Sequence, residues 1–251
     1  MKFSRSIAAT ACALALASIG SNANAQSFSE GFNDATLPTG WVATNLSTKA
    51  STGNPWSTGI GITDTDGTVV VSPYEGEGFA IANYSSIGGT GSGTISNWLI
   101  SPEIFGISNG DTFSFFTTTV PASDYPDRLE VRLSTAGAGT DVGSSTTSTG
   151  SFTTLLLSVN PTLAAGGYPE DWTQYTVTVS GLAGPVDGRL AFRYFVTSGG
   201  PAGSNSNIIG VDDFAYSSVS AVPEPATWAL MAGGFGLLCT RRLRNRGASK
   251  R

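Results

Sequence analysis

Between two terminal apolar runs the chain alternates. Residues 128–133 place Leu129, Val131 and Leu133 on one side and Arg128, Glu130 and Arg132 on the other, the period of a half-buried strand. Residues 172–179 set Tyr175, Val177 and Val179 against Gln174, Thr176 and Thr178, and residues 189–196 gather Leu190, Phe192, Tyr194 and Val196 on one face. Phe113–Thr119, Phe79–Tyr84, Val69–Val71, Trp98–Ile100 and Ile208–Tyr216 are further β-rich runs, punctuated by Gly, Ser, Thr, Asn and Asp. Helical periodicity is scarce. Period-two strands with one polar face belong to antiparallel sheets packed on a core, which predicts an all-β sandwich or barrel. Ser134–Thr154, dense in Ser, Thr, Gly and Ala, reads as an extended surface loop between strands. Its alternative is a low-complexity linker between two domains, each of which would lack a complete core.

The two ends differ in kind from this middle. Lys2 and Arg5, the apolar stretch Ile7–Ile19 and the small-x-small site Ala23-Asn24-Ala25 make residues 1–25 a secretory signal peptide, with signal peptidase cutting before Gln26. At the other end Ala226–Thr240 is rich in Ala, Gly, Leu, Phe and Trp and is followed by arginines. A helix over residues 226–240 would be about 22 Å long against a hydrocarbon core of roughly 30 Å, a marginal permanent anchor. The basic cluster should stay cytoplasmic, leaving the middle outside.

Charge sharpens this division. The 251 residues hold 13 Lys and Arg against 18 Asp and Glu, but residues 26–222 keep only five cations against 17 acids. Such a middle repels phosphates and excludes an electrostatic nucleic-acid binder. The chain has no His, so Ser-His-Asp and Cys-His catalysis and His-ligated metal are excluded. Cys12 and Cys239 both lie in the terminal runs, so the middle carries no disulfide and no reactive thiol.

Two resemblances follow from specific residues. Pro223-Glu224-Pro225, the apolar run 226–240 and the cluster beginning Arg241-Arg242 are together similar to the PEP-CTERM sorting signal. That resemblance implies a Gram-negative bacterium that makes exopolysaccharide. It also implies an exosortase-type membrane protease that recognises Pro-Glu-Pro and removes helix and tail, so that membrane contact through residues 226–240 is transient. Phe28-Ser29-Glu30-Gly31-Phe32 and Leu37-Pro38-Thr39-Gly40-Trp41 open the middle like a choice-of-anchor J domain. Asn97-Trp98-Leu99-Ile100-Ser101-Pro102, Leu129 to Thr135, Ala191-Phe192-Arg193-Tyr194 and Gly210-Val211-Asp212-Asp213-Phe214 follow in that family's order. The resemblance, to cleaved-adhesin and MAM-like modules, implies a single antiparallel jelly-roll β-sandwich. Long insertions around residues 57–67 and 134–154 depart from the family's spacing. The expected organisation is therefore a signal peptide at 1–25, the sandwich at 26–218 and the transmembrane sorting signal at 219–251.

Most of the 17 acids should simply form a solvated surface. Related jelly rolls hold structural calcium between their end strands, which singles out Glu30 and Asp212 as candidate ligands. Asp64-Thr65-Asp66-Gly67 with Glu75 echoes an EF-hand loop, but the Gly comes early and the flanks are not helical, so it reads as a turn. Trp56, Tyr125 and Tyr168 are candidate sugar-stacking aromatics, or covers for the loop edges of the core. The function expected is non-catalytic: adhesion or association with extracellular polysaccharide or glycan at the cell surface or in the matrix. The alternatives are a carboxylate-dependent polysaccharide-active enzyme, which needs two acids facing one another in an aromatic-lined cleft, and a structural matrix component without a small ligand.

Overall fold

The computed structural model describes residues 27–53 and 56–219. The signal-peptide residues Ala23 and Ala25, and Pro223, Glu224, Pro225, Arg241 and Arg242 of the sorting signal, lie outside the described residues.

The elements in chain order are β1 (Phe28–Glu30), β2 (Val42–Asn45), β3 (Ser57–Gly59), β4 (Ile62–Thr63), β5 (Val69–Val71), β6 (Phe79–Asn83), β7 (Gly93–Ile100), β8 (Ile104–Ile107), β9 (Thr112–Thr119), β10 (Leu129–Ser134), β11 (Thr154–Val159), β12 (Thr173–Thr178), β13 (Val186–Gly199) and β14 (Ile208–Ser217). The first sheet runs β12-β9-β14-β6-β3, with β1 on β14. The second runs β11-β10-β13-β7-β2, with β8 on β13. The pairings in both are antiparallel. Val69–Val71 leaves the sandwich and forms a small hairpin with β4. Among the described residues no helix is long and apolar enough to cross a membrane.

The alternation read from the sequence sets the inner faces. Leu129, Val131 and Leu133 of β10 and Leu190, Phe192, Tyr194 and Val196 of β13 face Phe113 and Phe115 of β9 and Val211, Phe214 and Tyr216 of β14 in one buried cluster. Aromatic rings close its middle: Phe192 meets Phe115 edge-on at 4.9 Å and Phe214 at 5.9 Å, the geometry that ring quadrupoles favour.

The outer faces differ from expectation. Residues 134–154 do not loop freely over the surface; they are a strap docked on the second sheet. Val142 and Phe152 pack with Trp98, Ile100 and Ala191 in a separate apolar cluster. Arg193, on the supposedly polar face of β13, is buried under the strap and donates from Nη2 to the carbonyls of Thr146 and Ser148. Its guanidinium lies 3.7 Å from the Phe195 ring centroid and 4.7 Å from that of Trp98, and pairs with Glu130 at 3.2 Å. A Ser/Thr/Gly run satisfies an arginine this way because its backbone carbonyls can approach closely.

Candidate functional site

Most of the 17 acids are exposed or half-buried, as expected, and four are not. Asp111, Asp127, Glu130 and Asp212 are buried rather than solvated, and only Glu130 of these four forms an ion pair among the described residues. Asp111 accepts from the Tyr216 hydroxyl, the Ser108 and Val219 amides and the Ser218 hydroxyl. Burial alone would raise its carboxyl pKa, but these hydrogen bonds to the charged form outweigh it and hold the pKa below the ordinary value.

Glu30 and Asp212 lie on neighbouring strands, β1 and β14, with Glu30 opposite Phe214, two residues beyond Asp212. Each carboxylate is already engaged by backbone. Glu30 accepts from the Phe32 amide at 2.9 Å, where Phe32 adopts a left-handed φ of 50°. Asp212 accepts from the amides of Tyr74 (2.9 Å), Glu75 (3.3 Å) and Asp213 (2.7 Å). Burial pushes its pKa up to about 6 against the pull of those amides, and the neighbouring Asp213 adds to the rise. A cation would find in Asp212 a buried carboxylate with no paired cationic side chain, though its oxygens would be shared with amides. Among the described residues no group of three or more acid, His or Cys side chains converges on one point. Calcium at Glu30 and Asp212 would therefore draw on loop carbonyls for most of its oxygens.

What Asp212 holds in place is an aromatic surface. On the outer face of the first sheet, register sets Gln174, Phe116 and Asp212 side by side across β12, β9 and β14. Loop 72–78 passes over this row and is pinned three times. The Trp172 indole donates to the Ser72 carbonyl at 2.8 Å, Asp212 takes the Tyr74 and Glu75 amides, and Asn33 Oδ1 takes the amides of Glu77 and Gly78. Gly76 is required between these pins: its φ is +67°, and a Cβ there would lie 2.1 Å from Asn33 Oδ1. So held, the Tyr74 ring lies flat on Phe116, with centroids 3.6 Å apart and planes at 17°, and meets Trp172 edge-on at 6.4 Å. Trp172 in turn stands against Phe79. Tyr74 remains 42% exposed, so one ring face is seated and the other meets solvent.

Sequence reasoning did not single out Tyr74, Phe116 or Trp172 for this role. One signal was available: Phe115 and Phe116 are adjacent, so one of them must leave the core face of a strand. Of the three aromatics it did propose, Trp56 is buried and donates its indole N–H to the Asn97 carbonyl, and Tyr168 is buried against Thr117. Tyr125 is exposed and lines a shallow, water-sized cleft together with Asp127, Tyr168 and Glu170. Burial pushes the Asp127 carboxyl up to about 6, and its oxygens accept from the Tyr194 hydroxyl, the Thr119 hydroxyl and the Asn207 amide. Asp64 closes the hairpin turn, accepting from the amides of Asp66 and Thr68, as a turn residue does.

The geometry is that of an all-β, two-sheet sandwich with an aromatic outer face, and comparison with known proteins agrees on the class. The fold is similar to the K1 cleaved adhesin domain of Lys-gingipain from Porphyromonas gingivalis W83, with 22% identity and a TM-score of 0.51 over 77% of this chain and 98% of that domain. It is also similar to the K3 cleaved adhesin domain of the same protein, with 21% identity and a TM-score of 0.50 over 76% and 98%. At that identity the likeness is one of fold. Residues 221–246 match the PEP-CTERM protein-sorting motif. The chain is thus an exported protein, made with a C-terminal membrane-anchored sorting signal for exosortase-dependent processing. Among curated proteins, none matches it.

Proposed function

We propose that this protein works at the cell surface or in the extracellular matrix of a Gram-negative bacterium by associating with glycan, without catalysing a reaction. The observation that carries the reading is the Tyr74 ring, seated on Phe116, flanked by Trp172 and open on its far side. A pyranose ring stacks on such a surface through its C–H face, and Gln174 and Thr176, exposed on the neighbouring strand, offer hydrogen bonds to its hydroxyls. The working form in this reading is the sandwich at 26–218, released from the signal peptide after Ala25 by signal peptidase. Exosortase acts at Pro223-Glu224-Pro225 within the 219–251 signal. Likeness to adhesin domains supports a binding role at the level of fold. A calcium ion at Glu30 and Asp212 would act structurally, bracing loop 72–78.

An enzymatic reading would look to the Tyr125 cleft, which two acids, Asp127 and Glu170, help to line. The engagement of both Asp127 oxygens by three donors favours a structural role for that carboxyl.

Affinity electrophoresis of the exported protein through gels containing β-linked polysaccharides tests the binding proposal. Retardation is expected in at least one polymer, with Tyr74→Ala weakening association by about tenfold at unchanged melting temperature, the scale of one lost aromatic stack. Equal retardation of wild type and variant would remove the platform from the account.

A further inference from the structure

The two sheets differ in where cations fall. Segments 6–48, 50–127, 133–188 and 194–240 contain no Lys or Arg. The strands of the first sheet, β1, β3, β6, β9, β12 and β14, therefore carry no cation at all. The four arginines of the domain, at 128, 132, 189 and 193, lie on or beside β10 and β13 of the second sheet, and each is engaged there. Arg132 and Arg193 pair with Glu130, Arg128 donates to the Phe195 and Pro161 carbonyls, and Arg189 donates to the Ser101 and Ala138 carbonyls. Lys49 is exposed, in the segment after β2 of the second sheet.

Around the aromatic platform the balance is wholly acidic. Glu75 follows Tyr74, Asp171 precedes Trp172, and Glu77 and Glu170 lie two residues and one residue further out on the same two segments. All four are exposed, and none forms a salt bridge among the described residues. A ligand laid on Tyr74 brings its substituents among carboxylates that have no cation to share.

From this, and resting on the glycan reading above, we propose that the platform selects amine-bearing polysaccharide: a β-linked chain of amino sugars whose amino groups are free rather than acylated. Three features of the site converge on that class. The sugar ring stacks on Tyr74. A protonated amine gains from Glu75 and Asp171, and from the π-face of a nearby ring. A uronate or sulfated chain is repelled by the same carboxylates, with no arginine on this sheet to receive it. Because these acids are exposed, the selectivity is an electrostatic preference that salt screens, over a Debye length of about 10 Å at 0.1 M.

The test is calorimetric titration of the exported protein at one pH with three hexasaccharides: β-1,4-linked glucosamine, its fully N-acetylated counterpart, and a uronate hexamer. The expected order is free amine about tenfold tighter than N-acetylated, with the uronate hexamer weakest. The advantage of the free amine should shrink severalfold between low salt and about 0.5 M NaCl. Glu75→Gln with Asp171→Asn should collapse the ratio of the first two affinities toward one, while Glu103→Gln, on the second-sheet side, leaves that ratio unchanged. Tyr74→Ala should weaken both amino-sugar ligands. Binding of all three hexamers with equal affinity, or a preference for the uronate, overturns the selectivity while leaving the platform. Absence of binding to any of them at a native melting temperature overturns the glycan reading itself.

Discussion

Replacing Arg193 by Met keeps much of the side chain's volume and removes its charge and its donors. The wild-type guanidinium is 1% exposed and donates to Ser96 Oγ at 3.0 Å, Glu130 at 3.2 Å, and the carbonyls of Thr146 and Ser148 at 2.7 and 3.3 Å. Removing one partner of a buried ion pair costs about 3–5 kcal/mol, chiefly because the other charge is left behind. Here Glu130 retains Arg132 at 2.8 Å, which moderates the loss, whereas two strap carbonyls lose a charged donor, each worth about 1–3 kcal/mol. The expected destabilisation is about 3 kcal/mol, a large part of the roughly 5–15 kcal/mol that holds a domain folded. Urea unfolding followed by tryptophan fluorescence reads it as a lower midpoint at constant slope. Limited proteolysis should show new cuts within residues 136–148. A double-mutant cycle with Glu130→Gln should return a coupling of about 1 kcal/mol or more. A loss below about 1 kcal/mol, with the strap still protease-resistant, would refute the docking of residues 134–154 through Arg193.

Stability should rise as pH falls from 7 toward 5 in the presence of a chelator. Asp127 and Asp212 have folded pKa values near 6 against about 4 unfolded, so the fold binds protons that the unfolded chain does not, about 3 kcal/mol per group at most. Below about 4 the trend should reverse as Asp111, whose pKa is held down, is protonated. A midpoint that fell between pH 7 and 5 in chelator would contradict the burial of these carboxylates as described. If calcium binds at Glu30 and Asp212, adding it should raise the melting temperature and remove or invert the acid stabilisation, because protons then displace the ion; Asp212→Asn should lose the response. No calcium response in the wild type would dispose of that site. Neither wild type nor Glu170→Gln should release reducing ends from a bound polysaccharide. Hydrolysis by the wild type that Glu170→Gln abolished would overturn the non-catalytic reading.

Much of the sandwich was legible in the sequence because its inner faces obey a simple period. Leu129, Val131 and Leu133, or Leu190 through Val196, alternate cleanly and are buried as alternation requires. The pairing of β1 with β14 sets Glu30 opposite Phe214, on the strand that carries Asp212. The strap was not legible, for a physical reason. Val142 and Phe152 are isolated apolar residues in a Ser/Thr/Gly run, too far apart to form a periodic pattern, and the residues they cover read as a polar strand face. Glu130 and Arg193 look solvated on alternation alone; only tertiary contact shows that each satisfies the other. The platform was hidden for a different reason: Tyr74 reaches Phe116 through a loop whose position depends on Asp212, Asn33 and Trp172, residues distant in sequence. The processing signals, by contrast, are linear motifs, and the sorting motif is read directly from residues 221–246.

The most direct measurement of the central claim is an amide and indole chemical-shift map of the exported protein titrated with the glucosamine hexamer. The account predicts that the Trp172 indole N–H and the Tyr74 and Glu75 amides move together with one saturating affinity, while the indole signals of the buried Trp56 and Trp98 stay fixed. Saturating shifts centred on the Tyr125 cleft, or none anywhere, would contradict it.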